Sequence, residues 1–524
     1  MTIDGDAAYQ VLLAHDARFD GKLFVGVTST GVYCRPICRV RMPARRNCRF
    51  FGSPAQAEAA AFRPCLKCRP EIAPGPGLAW TVMDASRTLA RQAASVLDES
   101  GLHEDAPSVA GLAARLGVSD RHLRRIFFAE HGVTPLQYLQ TRRLLLAKQL
   151  LTDTRMPIAQ IALTSGFRSL RRFNAAFLGG YRMNPSRLRR AVPKDDGSEA
   201  ASRSTRARAR PLAAAEAITV HLAYRAPLDV EALLAFIAAR AVPGVEAVDG
   251  RAIRRSLRAG SPGAQGGWLE ARFASDAARV QLSFSAALGP ASGALIAATR
   301  RWLDLDAAPA TIAETLVGLP GAPGLRLPGS VDAFELAVRA VLGQQVTVAA
   351  ARTLARRLVE RFGAPIATPW DDVSRTFPSP TELARAPIER IAELGIIRSR
   401  AGAIRSLAAE WGALLPLLAP GAAPEPLVAR LCELPGVGPW TAHYIAMRGL
   451  GWPDAFPPGD IAAAKAMRTL FGTANARDIL AHAERWRPWR SYALLRLWNA
   501  LAATPRPPAA LHPNSAAPSE QEIR

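Results

Sequence analysis

Apolar residues recur along this chain with two different periods, and the change of period marks out separate parts. In SVAGLAARLGVSDRHLRRIFFAEHG the apolar residues follow helical spacing and predict one buried face. Between residues 213 and 325, alternating runs such as ITVHLAY and ARVQLSFSA predict strands of a small sheet accompanied by helices. From residue 326 onward the helical period returns. The inward face of the first helical pair consists of Leu112, Leu116, Leu123, Ile126 and Phe127.

Changes in composition supply the boundaries between these parts. The breaker run APGPG closes an N-terminal segment that holds both close cysteine pairs, and PKDDGSEAASRSTRARARP carries polar and charged residues without an apolar core. The second run therefore predicts a flexible linker, and the residues after TPRPPAALHPNS predict a disordered tail. We predict a cysteine-rich domain at 1–78, a helical domain at 79–192, the linker at 193–212, a sheet-containing domain at 213–325, a second helical domain at 326–503 and the tail at 504–524.

One pattern occurs twice within the first helical domain. In GVSDRHLRRIFF and GFRSLRRFNAAF a turn glycine, Gly117 or Gly166, is followed by a new helix with a basic outer face, and a Thr-Pro or Asn-Pro pair opens the next helix. Two such units resemble the AraC-type DNA-binding domain, which implies that both second helices enter the major groove. A solvated basic helix in an ordinary bundle is the alternative. The outward residues are Arg121, Arg124, Arg125, Arg168, Arg171 and Arg172.

The charge balance indicates what this protein binds. The 524 residues carry a formal net charge of +22 and a sequence pI near 10.9, which favours a polyanion such as double-stranded DNA. An arginine-favouring genome is the alternative source of this charge. The chain has no long uncharged apolar run, and its N-terminus MTIDGDAAYQ lacks the basic and apolar regions of a signal peptide. We therefore expect a cytoplasmic protein without membrane contact.

Four cysteines form two close pairs. Cys34 and Cys38 are separated by three residues, Cys65 and Cys68 by two, and twenty-six residues lie between the pairs. In a large cytosolic protein this spacing predicts tetrahedral thiolate coordination of Zn²⁺, with four unrelated buried thiols as the alternative. Cys432 lies in the helical pattern LVARLCELPG and is expected to be an inert buried residue.

The sequence around these cysteines, RFDGKLFVGVTSTGVYCRPICRVRMPARRNCRFF and FRPCLKCRPE, resembles the N-terminal domain of the adaptive-response protein Ada. The resemblance covers most of residues 15–72. It implies that Cys34 accepts a methyl group irreversibly from a DNA methylphosphotriester while the other three cysteines remain zinc ligands. Methylation would remove one negative charge from a four-thiolate zinc centre, which weakens its repulsion of the DNA backbone and raises DNA affinity.

The strongest catalytic pattern is LPGVGPWTAHYIAMRGLGWPDAFPPGD. Gly436 and Gly438 predict a tight turn whose bare backbone lets amide groups approach a phosphate, and Asp460 follows further on. With RWRPWRSYALLRLW beyond it, the region from about 213 to 503 resembles the helix-hairpin-helix DNA glycosylases, most closely AlkA-type 3-methyladenine glycosylase II. The resemblance implies that Asp460 is the catalytic carboxylate, which stabilises an oxocarbenium-like sugar or positions water. A helix cap is the alternative role, and the two roles are compatible.

The same resemblance implies a pocket for a flipped base. Its residues would be Phe236, Trp440, Tyr444 and Trp498, whose rings favour cationic alkylated purines. For each ring alone, ordinary core packing is the alternative. Gln345 stands where the family has a wedge leucine that fills the gap left by the flipped base.

Several family positions differ in this chain. Trp440 stands where bifunctional relatives have a Schiff-base lysine, so we expect base removal without strand cleavage. Ile461 and Asn499 replace tyrosines of the family pocket, which leaves the range of excised bases open. No cysteine follows Cys432, so the iron–sulfur cluster of other relatives is not expected.

Together these patterns predict a multidomain α+β protein: a small zinc-bound Ada-type α/β domain, an all-α AraC-type double helix-turn-helix, a small AlkA N-terminal-type domain with an antiparallel sheet and helices, and an all-α helix-hairpin-helix glycosylase domain. The predicted function is alkylation repair joined to regulation, with Zn²⁺ as cofactor and alkylated and promoter DNA as partners. RNA polymerase is a further candidate partner of a monomer associated with the bacterial nucleoid. The alternatives are a transcription regulator whose glycosylase module is only a DNA-binding platform, and a repair enzyme whose front half only tethers DNA.

Overall fold

The computed structural model describes residues 4–75, 85–99, 108–191, 217–258, 266–419, 421–473 and 475–503. The predicted linker at 193–212 and tail at 504–524 lie outside the described residues, as do residues 79–84. Within the described ranges, no helix is both long and apolar enough to cross a membrane.

The N-terminal domain is a small sheet with two helices packed against it. Its elements are α1 (Gly5–Leu13), β1 (Phe24–Val27), β2 (Val32–Cys34), β3 (Cys48–Phe51), α2 (Pro54–Ala59) and β4 (Arg63–Pro64). The strand order is β3-β1-β2-β4, with β4 parallel to β2 and the other pairs antiparallel. Phe24, Tyr33 and Phe62 form the core of this domain. Because β2 is paired on both sides, the cysteine at its end, Cys34, has a fixed position.

In the next domain, every element within the described residues is a helix. Its helices are α3 (Ala85–Glu99), α4 (Val109–Arg115), α5 (Asp120–His131), α6 (Pro135–Asp153), α7 (Ile158–Thr164), α8 (Leu170–Tyr181) and α9 (Pro185–Ala191). The pairs α4–α5 and α7–α8 are the two predicted helix-turn-helix units. Ser119 and Ser169 cap α5 and α8 by accepting a backbone N–H with their hydroxyls. Gly117 and Gly166 have φ of +68° and +79°, which glycine adopts without strain in the turn between the helices.

A five-stranded sheet forms the third domain. Its elements are β5 (Ala217–Ala223), α10 (Val230–Arg240), β6 (Glu246–Asp249), β7 (Ala252–Leu257), β8 (Gly267–Phe273), β9 (Arg279–Ser285), α11 (Ser292–Trp302) and α12 (Pro309–Thr315). The strand order is β5-β9-β8-β7-β6 and every pair is antiparallel, which confirms the predicted sheet. β5 is an edge strand of this sheet.

Helix α6 of the helix-turn-helix domain covers the free edge of β5. The side-chain amide of Gln149 donates to the carbonyl oxygen of His221 at 2.9 Å, and the backbone N–H of His221 donates to the carboxylate of Asp153 at 3.1 Å. Buried side chains of α6 to α9 and of the sheet form one continuous apolar cluster. The second helix-turn-helix unit and the five-stranded sheet therefore share a core.

The C-terminal domain is a bundle of helices. They are α13 (Ala333–Leu342), α14 (Val348–Phe362), α15 (Pro380–Arg385), α16 (Ile388–Ala392), α17 (Arg398–Ala409), α18 (Trp411–Leu414), α19 (Pro424–Cys432), α20 (Pro439–Gly449), α21 (Ile461–Phe471), α22 (Ala476–Ala483) and α23 (Arg490–Ala503). The expectation that Cys432 is buried is wrong, because this residue is exposed. The buried face of α19 is formed by Leu427 and Leu431, and the next position, Cys432, is rotated about 100° away from Leu431.

Candidate functional site

Four cysteine sulfurs meet at one end of the N-terminal sheet. Cys34 ends β2, and Cys38 follows a turn in which its backbone N–H donates to the carbonyl oxygen of Arg35 at 3.1 Å. Cys65 directly follows β4, and its N–H is bonded to the backbone of β2. With Cys68, all four Sγ atoms lie within 4.8 Å of one another. Three of the four side chains are buried, so the cluster is closed off from solvent on most sides.

The cluster fits Zn²⁺ in size and in chemistry. Zinc–sulfur bonds of about 2.3 Å in a tetrahedron place the sulfurs about 3.8 Å apart, which is within the observed spacing. Hydrogen bonding to the other sulfurs, first of all Cys38, together with burial raises the pKa of the Cys34 thiol. Without a cation this sulfur would therefore keep its proton. A bound Zn²⁺ supplies the positive charge that holds such sulfurs ionised and nucleophilic.

Arg35 supports the cluster from the loop after β2. Its backbone N–H donates to Sγ of Cys68 at 3.3 Å, and its guanidinium donates to the Cys68 carbonyl oxygen at 3.1 Å. The same guanidinium is bidentate to the carboxylate of Asp20. Arg35 and Asp20 are both buried. An N–H aimed at a sulfur favours the thiolate, and the buried ion pair fixes the loop that presents it.

The two second helices of the helix-turn-helix units present their basic residues to solvent. The buried faces of α5 and α8 are apolar, with Leu123 and Phe127 on the first and Phe173 and Phe177 on the second. Each helix therefore offers a positively charged outer face, as the sequence predicts. The exposed arginines are Arg121, Arg124 and Arg125 on α5, Arg171 and Arg172 on α8, and Arg168 in the turn before α8.

The hairpin between α19 and α20 has the tight geometry that its glycines predict. Gly436 has φ of +81°, and a side chain at this position would meet Ala403 at 2.8 Å. Gly438 precedes the first residue of α20 and has open space where a side chain would be. Its backbone is therefore accessible to a phosphate at the start of the helix.

The residues before α14 lie against this hairpin. The side-chain amide of Gln344 donates to the carbonyl oxygen of Gly436 and to the hydroxyl of Thr441, both at 2.9 Å. The next residue, Gln345, is exposed and has φ of +53°. This left-handed conformation turns the chain at the position where the family has its wedge residue. The sequence pattern did not reveal the bridging role of Gln344.

Three N–H groups hold the Asp460 carboxylate. The indole Nε1 of Trp440 donates to Oδ2 at 2.9 Å, and that of Trp498 donates to Oδ1 at 3.1 Å. The backbone N–H of Ala463 donates to Oδ1 at 2.7 Å, so Asp460 also caps α21. The residue is 8% exposed. The carboxylate is therefore fixed in orientation and largely shielded from solvent.

The predicted pocket aromatics lie together around this carboxylate. Trp440 and Tyr444 are stacked, with ring centroids 5.2 Å apart and planes 11° from parallel, and Tyr444 lies 6.4 Å from Trp498. Phe236 reaches the same cluster from α10 of the preceding domain. The substituted family positions, Ile461 and Asn499, are exposed. The structure thus brings the four predicted rings and Asp460 together.

Two arginines complete the pocket, and the sequence patterns missed both. The guanidinium of Arg240 lies over one face of the Phe236 ring, with Cζ 3.7 Å from the centroid, and that of Arg448 lies 5.1 Å from it. Arg448 also donates to the hydroxyl of Tyr444 at 2.7 Å. Burial alone would raise the pKa of Tyr444, but these two cations hold it below its ordinary value. The available signal was helical spacing, because each arginine lies four residues after an aromatic.

A small void lies behind these rings, between the sheet domain and the helical bundle. Its lining includes Phe236, Arg240 and Arg448 together with the buried pair of Arg255 and Glu246. The arginines therefore connect the aromatic cluster to a polar interior space.

Four family models match the chain, in the order of its domains. They are the metal binding domain of Ada over residues 7–71, a helix-turn-helix domain over 112–191, the AlkA N-terminal domain over 219–332, and the HhH-GPD superfamily of base excision DNA repair proteins over 338–491. The fold and the matches define a class of protein in which a zinc-binding, DNA-binding regulator is fused to a helix-hairpin-helix glycosylase. The predicted fold class and the zinc cofactor are confirmed.

Relatives of the whole chain narrow this class. A Mycobacterium tuberculosis (strain ATCC 25618 / H37Rv) protein named "Probable bifunctional transcriptional activator/DNA repair enzyme AlkA" is 38% identical over 508 residues, which are 95% of this chain and 97% of that protein. The chain therefore belongs to the family of bifunctional transcriptional activator/DNA repair enzymes that includes the mycobacterial protein.

Two further similarities cover the C-terminal half. DNA-3-methyladenine glycosylase 2 of Escherichia coli (strain K12) is 39% identical over 283 residues, which are 53% of this chain and 95% of that enzyme. A solved structure of a 3-methyladenine DNA-glycosylase from Archaeoglobus fulgidus aligns with a TM-score of 0.46 and 21% identity, over 54% of this chain and 98% of that one.

Proposed function

We propose that this protein excises alkylated bases from double-stranded DNA and also takes up a methyl group from DNA phosphotriesters on a zinc-bound cysteine. The observation that carries the excision activity is the Asp460 carboxylate, which is buried and held by three N–H donors. A carboxylate fixed in this way needs no reorganisation when the neighbouring sugar acquires positive charge as the base departs. Asp460 therefore stabilises an oxocarbenium-like transition state.

The ring cluster supports a flipped alkylated purine as the substrate, and the names of the relatives support 3-methyladenine in particular. A cationic base is attracted to electron-rich ring faces by about 0.5–2 kcal/mol. Arg240 and Arg448 already lie over Phe236, and Arg448 also lies over Tyr444. The attraction for a cationic base therefore rests mainly on Trp440 and Trp498.

The hairpin supports DNA binding at the lesion. The tight turn at Gly436 and the open backbone at Gly438 would hold a phosphate, and Gln345 would fill the space that the flipped base vacates. Trp440 stands in the place of a Schiff-base lysine, and its N–H is bonded to Asp460. The expected reaction is hydrolysis of the glycosidic bond, which leaves an abasic site with both strands intact.

Cys34 is the proposed methyl acceptor, on the basis of the resemblance to Ada. Its sulfur would attack the methyl carbon of a methylphosphotriester, the carbon–oxygen bond would break, and the phosphate would leave as a diester anion. The product is a Cys34 thioether, so each molecule reacts once. Cys38, Cys65 and Cys68 would hold the metal throughout.

The lost negative charge links this transfer to regulation. With a less negative centre beside the DNA backbone, the two basic recognition helices bind DNA more tightly. Activation of transcription would follow through contact with RNA polymerase. We propose that the protein acts as a monomer on the bacterial nucleoid.

Single-turnover release of 3-methyladenine from methylated duplex DNA tests the excision activity. Asp460→Asn keeps an acceptor for the N–H of Ala463 and should lower the rate by at least about 10²-fold. Asp478→Asn changes an exposed aspartate in the neighbouring helix α22 and should leave the rate unchanged. Failure of the unmodified protein to release any base would favour a DNA-binding platform, and equal rates for Asp460→Asn would remove its catalytic role.

Mass measurement of the intact protein tests the acceptor activity. After incubation with duplex DNA that carries a methylphosphotriester, the unmodified protein should gain the mass of one methyl group, located on Cys34 by peptide mapping. Cys34→Ser should gain nothing. Cys48→Ser removes a buried thiol outside the cluster and should gain the methyl group normally. A methyl group on another residue would refute the assignment.

A further inference from the structure

One carboxylate, that of Asp153 at the end of α6, contacts two other domains. Its Oδ1 lies 2.5 Å from Nη1 of Arg69, the residue directly after Cys68 in the N-terminal domain. Its Oδ2 accepts the backbone N–H of His221 on β5 at 3.1 Å. The Asp153 side chain is only 2% exposed. A buried carboxylate of the helix-turn-helix domain therefore joins the zinc domain to the five-stranded sheet.

A second buried pair lies one turn and a half earlier on the same helix. Nζ of Lys148 is 2.5 Å from the carboxylate of Glu71, and neither side chain is more than 2% exposed. Glu71 also pairs with Arg69 at 3.0 Å. Charges buried in this way are stable only with their partners in place, so the domains cannot separate here without exposing or orphaning them.

Arg225, just after β5, makes an independent connection to the N-terminal domain. Its guanidinium donates to the carbonyl oxygens of Asp20 and Gly75, and on the sheet side to that of Asp306. The backbone N–H of Gly75 in turn donates to the carboxylate of Asp306 at 2.6 Å. Arg225 is 2% exposed. The carbonyl of Asp20 belongs to the residue whose side chain holds Arg35 beside the cysteine cluster.

The close approach at this contact depends on a missing side chain. A Cβ at Gly75 would lie 3.1 Å from the carboxylate of Asp306, so the carboxylate would have to shift by a few tenths of an ångström to admit even a methyl group. The glycine at position 75 therefore lies at the same place as the hydrogen bonds of Arg225 and Asp306. The two surfaces are complementary there both in shape and in polar groups.

We call the zinc and helix-turn-helix domains, up to residue 191, the regulatory half, and the domains from residue 217 onward the glycosylase half. We infer that these two halves are docked as one body through the buried polar junction of Asp153, Arg225 and their partners. The surface on the glycosylase half is the edge strand β5 with the segment after it. This surface packs against three segments of the regulatory half of the same chain. They are the end of α6, the loop after Cys68 and the loop around Asp20. The two DNA-binding modules therefore keep a fixed relative position.

Cutting the connection between the halves tests this docking without any measurement of activity. A specific protease site placed between residues 200 and 206 of the full-length, zinc-loaded protein allows the chain to be cut once. We expect the two halves to elute together in gel filtration at low micromolar concentration. Separation of the halves after cutting would overturn the inference.

Variants of the junction identify the residues that hold it. In the cut protein, Asp153→Ala combined with Arg225→Ala should weaken association of the halves by at least about tenfold. Arg254→Ala is the matched control, because Arg254 pairs with Asp249 and Glu270 within the sheet and should not affect association. Unchanged association of the double variant would show that the polar junction does not hold the halves.

A second variant keeps the charges in place, in case the double variant does not fold. Gly75→Leu pushes a side chain into Asp306 and should also weaken association, whereas Gly402→Leu, on α17 with open space around it, should not. Circular dichroism and zinc content of the uncut proteins should match the unmodified protein. Association of Gly75→Leu as tight as that of Gly402→Leu would contradict the proposed interface.

Discussion

The indole N–H of Trp440 points at Asp460, with Nε1 2.9 Å from Oδ2. Trp440 therefore makes two contacts with one side chain, because its ring also stacks on Tyr444 in the proposed base pocket. Trp498 also makes two contacts, with Tyr444 and with Oδ1 of Asp460. The pocket that would receive the base and the carboxylate that would stabilise the sugar are thus positioned by the same two residues.

Replacing these indoles by phenyl rings separates the two contacts. Trp440→Phe and Trp498→Phe keep an aromatic ring but lose one N–H donor to Asp460, and each should lower the single-turnover excision rate by roughly three- to tenfold. The double variant should lose more than either single one, because Ala463 then provides the only remaining donor of the three. Trp452 stacks on His443 and is not one of the three donors to Asp460. Trp452→Phe should therefore retain the excision rate of the unmodified protein. An unchanged rate in both single variants would contradict the positioning role.

Removal of the metal should unfold the N-terminal domain. Four sulfurs within 4.8 Å of one another cannot all ionise without a cation, so a chelator should lower the melting temperature of this domain. Metal analysis should find one Zn²⁺ per chain in the unmodified protein and in Cys48→Ser, and none in Cys38→Ala. Full zinc content in Cys38→Ala would mean that the cluster is not the metal site.

Glu58 should make stability depend on pH. Its carboxylate accepts hydrogen bonds from Tyr33 at 3.1 Å and from Thr141 of α6 at 2.9 Å, and burial raises its pKa from 4.5 to about 8. Between these values the folded protein holds a proton that the unfolded protein has released. The free energy of unfolding should therefore fall as pH rises from about 4.5 to about 8, by up to about 5 kcal/mol.

Thermal melting across this pH range measures the effect of Glu58. Glu58→Gln keeps the shape of the side chain without a titrating group and should flatten the dependence. Glu360→Gln, an exposed partner of Arg356, is the control and should melt like the unmodified protein. Stability that rises across this window in the unmodified protein but not in Glu58→Gln would show that the sign is wrong.

The recognition helices should contribute charge to DNA binding separately. Arg171→Ala on α8 and Arg121→Ala on α5 should each reduce the salt dependence of duplex binding by about one counterion, measured as the slope of log affinity against log salt concentration. Arg356 lies on α14, outside both helix-turn-helix units. Arg356→Ala should therefore leave the salt dependence of DNA binding by the helix-turn-helix units unchanged. A solvated basic face without DNA contact predicts unchanged slopes for all three variants.

Local sequence patterns were sufficient for the parts whose geometry is local. The spacing of the cysteines predicted the cluster, and the paired turn glycines predicted both helix-turn-helix units. Asp460 was predicted both as a cap and as a catalytic group, and the observed bond to Ala463 shows that it does cap α21. Periodicity failed at Cys432, since an apolar residue type at the end of a helix does not fix which way the side chain points.

Contacts between distant segments could not be read from the sequence. Arg225 meets Gly75 across 150 positions of the chain, and Asp153 meets Arg69 and His221 from opposite directions. Nothing in the local pattern distinguishes these residues from solvated surface charges. Arg240 and Arg448 were missed although each lies four residues after an aromatic, because arginines on amphipathic helices are usually exposed.

The bonds that Gln149 and Asp153 make to His221 have a consequence for how such a fusion evolves. With α6 gone, the N–H and carbonyl of His221 on β5 would be left bare, and an uncovered strand recruits other chains into aggregates. A gene rearrangement that deleted the regulatory half would leave a C-terminal protein that tends to aggregate through β5. A proline, a charged residue or a bulge on β5 would be needed to prevent this. Selection against that intermediate favours retention of both halves as a single gene.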